Sequence, residues 1–341
     1  MNKSNANTLD AITEFRPASS WQGRAVANAM RTFVKPVVAR VPLTTRVMRF
    51  SQLGFDTVTL ALPVHPDVHI APADVGGVPG EWLITGREVF SGRVVLYLHG
   101  GAYFFGSPRS HRSVTWRLSR ACRAKVLALD YRQPPNWHYP APLVDAVSAY
   151  RALLEQGYQP QNIVIAGDSA GGNLTLVTLL HLRDHGLPMP AAAVLISPWS
   201  DLTCSGDTLL SNAQSEPMIP VNALRFVSAS YSRGNDPAAP MLSPVYADLT
   251  GLPPLMIQVS NMEVLLSDAA RVAQQALDCG VSCRYQVWEG MIHVFQALAG
   301  WVPEASLAVS EIGAFVDEKI REAGGEQTVH RRATLVTGRG S

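Results

Sequence analysis

The stretch NIVIAGDSAGGNLTLVTLLHLRDHG, residues 162–186, passes from a short apolar run into a helical one through a single glycine-flanked turn. The first part, bounded by turn signals and rich in Ile and Val, reads as a strand buried on both faces. The second part carries apolar residues at helical spacing and stops at Gly186. A strand that enters a helix this abruptly belongs to a parallel sheet covered by helices, because parallel strands need such crossovers. The turn itself, Gly167-Asp168-Ser169-Ala170-Gly171, fits the pattern G-x-S-x-G. In that setting the tight turn strains the serine backbone, and the glycines let strand and helix approach. The turn projects Ser169 Oγ from the sheet edge at the positive end of a helix. A nucleotide-binding loop would need further glycine spacing and a P-loop lysine, and neither is present.

The same rhythm continues on both sides. DVHIAPA (67–73) and GEWLITG (80–86) read as two strands around a Gly76-Gly77 turn. RVVLYLHG (93–100), KVLALDY (125–131), AAAVLISPW (191–199), PLMIQVS (254–260) and SCRYQVWEG (282–290) read as further strands. Helices are expected over 114–124, 141–157, 267–280, with Ser267 as N-cap, and 304–324. The expected class is α/β, a mostly parallel sheet with helices on both faces. No internal repeat is visible. Residues 1–20 are polar and expected to be loosely ordered. Residues 21–53 place Val26, Met30, Phe33, Val34 and Val37 at helical spacing, with Pro36 and Pro42 predicted to break the run into short helices. The division expected is an N-terminal helical segment (1–53), a catalytic domain (54–324) with a polar excursion near 204–240, and a disordered tail (325–341).

A serine hydroxyl needs a base, and the base an orienting acid, in the chain order Ser, Asp or Glu, His. Four of the nine histidines follow Ser169. His181 and His185 lie too far along the nucleophile helix, and His330 sits in the tail. His293, in the loop EGMIHVFQ after the last strand, is the eligible base. Glu263, in the loop leaving the preceding strand, is preferred as the acid. Asp268 is the alternative, although an acid in a first helical turn also has a macrodipole explanation. A tetrahedral intermediate also needs N–H donors, each worth roughly 3–4 kcal/mol of barrier. Ala170 at the helix start would supply one. The loop HGGAYFFGS (99–107) would supply the other from Gly100, Gly101 or Ala102, its bare glycines letting backbone approach a substrate. Tyr103, Phe104 and Phe105 are candidate pocket walls, with core packing an equal explanation for at least one ring.

The pairing of HGGAYFFGS with GDSAGG resembles the hormone-sensitive-lipase-like esterases, an α/β-hydrolase family of microbial carboxylesterases and lipases. DYR (130–132), YPAPLVDA (139–146), SPWSDLT (197–203), LSPVYADLTGLPP (242–254), EVLLSD (263–268) and GMIHVFQ (290–296) extend the resemblance over about residues 60–320. It implies Ser169 as nucleophile, Glu263 as acid and His293 as base, with the oxyanion hole at Gly100–Ala102 and Ala170. It also implies a cap built from the N-terminal segment and part of 204–240. Three positions depart from the family pattern: Ala102 replaces the third glycine of HGGG, YRQPPNWHYP brings in Trp137 and His138, and Ser260 stands where glycine is usual.

The expected activity is hydrolysis of short- to medium-chain carboxylic esters through an acyl-enzyme, with no metal and no organic cofactor. Lactones, amides or carbamates would use the same triad, and an acyltransferase would differ only in excluding water. A non-catalytic binding protein on this fold would be expected to have lost the nucleophile or base. A formal net charge of +1 argues against nucleic acid as partner. Cys122, Cys204, Cys279 and Cys283 are too scattered for a disulfide scaffold, and no histidine lies near the last two to suggest a metal. No apolar run reaches membrane-spanning length and no signal-peptide core is seen, so a cytoplasmic location is expected. A homodimer is compatible with this reading.

Overall fold

The computed structural model describes residues 9–10, 12–16, 19–40, 44, 47, 64–85, 88–325 and 330–331. Its strands are β1 (Thr13–Arg16), β2 (His69–Val75), β3 (Val78–Ile84), β4 (Glu88–Val89), β5 (Val94–Leu98), β6 (Lys125–Leu129), β7 (Ile163–Asp168), β8 (Ala192–Ile196), β9 (Leu255–Ser260), β10 (Cys283–Trp288) and β11 (His330–Arg331). Nine of them form one sheet in the order β1-β10-β9-β8-β7-β5-β6-β3-β2. The pairs from β1 to β6 are parallel, whereas β3 and β2 are added antiparallel. Strands β5, β7, β8 and β9 are buried at every position, which is why their sequences are continuous apolar runs rather than alternating ones.

The helices are α1 (Trp21–Ala29), α2 (Lys35–Arg40), α3 (Arg112–Cys122), α4 (Ala141–Glu155), α5 (Ala170–Asp184), α6 (Thr208–Ser211), α7 (Val221–Ser232), α8 (Leu266–Asp278) and α9 (Pro303–Glu322). Alternate residues of each strand enter opposite layers. Val94, Leu96, Ile163, Ile165, Leu195 and Ile257 pack with α4, α5 and α8. Val95, Val164, Ala166, Val194 and Met256 pack with α3 and α9. This is a three-layer α/β domain with apolar contact on both sheet faces. Register carries the site: Leu98 pairs with Gly167, Asp168 with Ile196, and Ser260 with Trp288. The loops leaving β5, β7, β8, β9 and β10 therefore open along one carboxyl edge, where α/β sheets bind ligands.

Three local expectations are corrected. Within the polar first twenty residues, Thr13–Arg16 forms an edge strand on β10, with Arg16 paired to Glu311 at 2.7 Å and Gln286 donating to Glu14 at 2.8 Å. The strand is held by backbone pairing and polar contacts, and Phe15 is left exposed, so no apolar pattern announces it. Pro36 does not break the N-terminal helix. A π-helical turn over Met30–Val34 joins α1 to α2, and the Lys35 N–H reaches back to the Met30 carbonyl. The wider turn accommodates a ring that would otherwise clash one turn back. Helix α8 begins at Leu266 with Leu265 at its N-cap, so Ser267 lies inside the first turn, with its Oγ 2.8 Å from Thr208 Oγ1.

The 204–240 excursion contains α6 and α7 and meets the N-terminal helices. Arg31 donates to the Ser215 carbonyl at 3.0 Å, and Lys35 Nζ donates to Ala213 and Glu216 carbonyls at 2.7 and 2.6 Å. The expected boundary near residue 53 lies outside the described residues. So does most of the expected 325–341 tail, of which His330–Arg331 pairs antiparallel with Glu88–Val89. Among the described residues no helix is long and apolar enough to cross a membrane.

Candidate active site

Ser169 sits between β7 and α5 with φ 54° and ψ −119°, in the left-handed half of backbone space. Such a conformation costs a non-glycine residue on the order of 1–3 kcal/mol and persists only where its surroundings enforce it. Here the Ser169 N–H donates to the Ile196 carbonyl at 2.8 Å, and its own carbonyl accepts from Trp199 and Gly172, both at 3.0 Å. A Cβ on Gly171 would run into the Leu98 and His99 carbonyls, and one on Gly167 into the Gly171 carbonyl. The motif glycines are thus required by backbone packing, as the sequence reading expects.

His293 follows β10 in a loop and is buried to 9% exposure. Its Nδ1 lies 2.6 Å from Glu263 Oε2. Glu263 is fully buried, and its Oε1 accepts from Ser197 Oγ and the Ser260 N–H, both at 2.8 Å. Nδ1 therefore carries the proton, and Nε2 is left as the basic nitrogen. Burial pushes the His293 pKa down, but the Glu263 carboxylate, its hydrogen bond and the more distant Glu216 and Asp168 outweigh it, and the net shift is upward. A catalytic base must be neutral to act, so with His293 in the role proposed below the acid limb of kcat/KM should have its midpoint above the ordinary 6.5. Steady-state rates from pH 5 to 9 check this, and a midpoint below 6 would contradict it.

Asp268, the alternative acid, lies elsewhere. Its Oδ2 accepts the Ser200 and Asp201 N–H groups at 2.9 Å each, tying α8 to the chain leaving β8. Burial, with the Asp201 carboxylate beside it, pushes its pKa up to about 8.

The oxyanion loop needs one correction. The Gly100 N–H donates to Asp168 Oδ1 at 2.9 Å, so it is not available to a substrate. Asp168 also accepts from Tyr97 Oη at 2.5 Å and faces His111 Nε2 at 3.4 Å. This fixes the variable residue of G-x-S-x-G as the anchor of the neighbouring loop. Gly101, Ala102 and Tyr103 follow with φ of 109°, 54° and 61°. The Gly101 carbonyl accepts from Phe104 and Phe105 at 2.9 and 2.7 Å. Among the described residues, no acceptor takes the N–H of Gly101, Ala102 or Ala170. Ala102 thus adopts the left-handed backbone that glycine would take without strain.

Of the aromatic candidates, Tyr103 is core. It is fully buried, stacks on Tyr231 at 3.8 Å between ring centroids, and donates to Asn173 Oδ1 at 2.8 Å. Phe104 is also buried, with the Phe226 ring of α7 6.5 Å away. Phe105 is the half-buried one. His138 Nδ1 donates to the Ser230 carbonyl at 2.7 Å and so anchors the end of α7. Ser260 donates to the Met291 carbonyl at 2.7 Å, joining the acid and base loops. Ser197, Asp168 and Glu216 are neighbours that sequence reasoning did not single out.

A family model described as alpha/beta hydrolase fold matches residues 95–297. An acetyl-hydrolase of Streptomyces hygroscopicus is 45% identical over 260 residues, covering 75% of this chain and 85% of that one. The carboxylesterase/phospholipase LipF of Mycobacterium tuberculosis is 35% identical over 324 residues, 89% of this chain and 83% of its own. Among solved structures, EstE5 soaked by p-nitrophenyl butyrate aligns with a TM-score of 0.83 at 38% identity, covering 89% of this chain and all of that one. An esterase of the bacterial hormone-sensitive lipase family aligns with the same score, identity and coverage.

Proposed function

The chain belongs to the alpha/beta hydrolase fold family, among its hormone-sensitive-lipase-like esterases, and from that premise we propose a serine carboxylic-ester hydrolase working through Ser169, His293 and Glu263. The observation that carries the triad is the buried 2.6 Å pair of His293 Nδ1 and Glu263, at the sheet edge where the strained Ser169 turn also lies. Ser169 Oγ attacks the ester carbonyl while His293 Nε2 takes its proton. The N–H groups of Ala170, Gly101 and Ala102 receive the developing oxyanion. His293 then protonates the leaving alcohol, and an acyl group remains on Ser169. Water, deprotonated by the same imidazole, releases the acid and restores the enzyme. Glu263 holds the tautomer and stabilises the imidazolium without taking the proton. The chemistry asks for no metal or organic cofactor.

Short to medium acyl chains are the proposed substrates. Support comes from the acetyl-hydrolase relative and from EstE5, whose crystals were soaked with a butyryl ester. The N-terminal helices and the 204–240 excursion are proposed to form the cap, their mutual hydrogen bonds being the support. Four unpaired thiols among the described residues fit a reducing, cytoplasmic setting.

The purified protein should hydrolyse p-nitrophenyl acetate and butyrate. One equivalent of an organophosphate should inactivate it, with the adduct located on Ser169 by peptide mass spectrometry. Turnover that survives complete labelling, or an adduct elsewhere, would remove the mechanism. A parallel profile over acyl length, with lactone and amide analogues, sets the substrate class.

A further inference from the structure

Glu216 is fully buried, yet it lies in the polar excursion and outside the triad. Its Oε1 accepts the Met218 and Ile219 N–H groups at 2.8 and 3.2 Å. Its Oε2 accepts the N–H of Val264, the residue after the acid, at 3.1 Å. It does not act alone. Asn212 Nδ2 donates to the carbonyls of Asn261 at 2.9 Å and Glu263 at 2.8 Å. Thr208 Oγ1 donates to the Val264 carbonyl at 2.7 Å, and Ser215 Oγ, which donates to the Asn212 carbonyl at 3.1 Å, also lies 3.3 Å from the Met262 carbonyl. The carbonyls of Asn261, Glu263 and Val264 are thus bound by the side chains of Thr208 and Asn212, and Glu216 adds a charged contact.

We propose that residues 208–216 form a clamp on the acid loop, in which Glu216 is a positioning residue that places a second carboxylate behind the Glu263–His293 pair. This rests on the serine-hydrolase reading above. The clamp fixes the backbone that presents Glu263. Its charge favours the imidazolium that forms as Ser169 attacks. The groups facing it are Glu263 on the acid loop, His293 on the base loop, and Lys35 and Arg31, which bind the Glu216 and Ser215 carbonyls from the N-terminal helices. Asp168 adds its charge at His293. Burial and the Glu263 charge push the Glu216 carboxyl upward, with His293 and the N–H donors opposing. The His293 pKa in turn is raised by Glu263 first, then by Glu216 and Asp168, against burial.

Glu216→Gln removes the charge and keeps an oxygen for the Met218 and Ile219 N–H groups, while its NH2 replaces the acceptor of the Val264 N–H. A negative charge raises an imidazole pKa, so its loss should move the acid limb of kcat/KM to lower pH by about half a unit. With less support for the imidazolium, kcat should fall roughly fivefold at the plateau while KM stays within about twofold. Glu216→Asp draws the carboxylate back and should shift the limb in the same direction by less. Asn212→Ala removes only neutral clamp contacts, so it should lower kcat and leave the limb in place. Stoichiometric organophosphate labelling of each variant shows that its site is folded. The proposal fails if the limb of Glu216→Gln coincides with wild type, or moves equally in Asn212→Ala. Should Glu216→Gln not fold, the same comparison between Glu216→Asp and Asn212→Ala decides. A wild-type enzyme without any acid limb would count against the triad reading instead.

Discussion

Ser169→Ala should lower kcat/KM for p-nitrophenyl butyrate by about a million-fold, the scale expected when a triad nucleophile is removed. Alanine keeps the Cβ and the same left-handed backbone as the serine at φ 54°, so the elbow keeps its strain and its hydrogen bonds. The melting temperature should accordingly shift by no more than about 2 °C, since the backbone and its hydrogen bonds are kept and only one hydroxyl oxygen is removed. The proposed oxyanion donors of Ala170, Gly101 and Ala102 would remain, with an expected residual acceleration of roughly a thousandfold over water. Steady-state assays after removing any wild-type carry-over check the value. A variant that retained a tenth of wild-type turnover would show that Ser169 Oγ is not the atom that attacks.

The fold and the strained turn at Ser169 are legible for a common reason: both are written in residues whose neighbours allow nothing else. Val94–Leu98 and Ile163–Asp168 are apolar throughout because both faces are covered, and Gly171 is bare because carbonyl oxygens occupy the space of a Cβ. The pairing of His293 with a carboxylate is reachable through chain order. Contacts made by backbone or by distant polar partners left no comparable trace. The Thr13–Arg16 strand pairs through its main chain, and an edge position asks little of its side chains. The Gly100 N–H is taken by Asp168, sixty-eight positions away, so the spacing HGG cannot reveal which of its donors is spent. Tyr103 looks like a pocket residue in sequence, but its ring faces Tyr231 and its hydroxyl faces Asn173. Glu216 stands in a polar stretch that reads as solvated, and only the folded acid loop buries it. The choice between Glu263 and Asp268 stayed open in sequence because both follow β9 within one loop and one helical turn.

That choice carries the second large effect. Glu263→Gln should lower kcat by about ten-thousand-fold, while Asp268→Asn should change it by less than about threefold. The asymmetry follows from the donors around each carboxyl. Glu263 Oε1 faces the Ser260 N–H, which can only donate. In Glu263→Gln the amide oxygen must occupy that position, which turns the NH2 group toward His293 Nδ1. Nδ1 then becomes an acceptor, the proton moves to Nε2, and the imidazole meets Ser169 as a donor instead of a base. Asp268 Oδ2 faces two N–H groups, and Asp268 Oδ1 has no hydrogen-bond partner among the described residues. An asparagine can put its oxygen toward the two donors without meeting the imidazole. Stability should separate the two sites as well. The Asp268 pKa is raised to about 8 in the fold from about 3.9 in the unfolded chain. The stabilisation of its neutral form is complete below the lower value and is lost as pH rises toward the upper one. Asparagine does not titrate, so the melting temperature of Asp268→Asn minus that of wild type should rise between pH 5 and 8 and level off above. If Asp268→Asn instead loses activity by orders of magnitude while Glu263→Gln turns over normally, the orienting carboxylate has been assigned to the wrong residue.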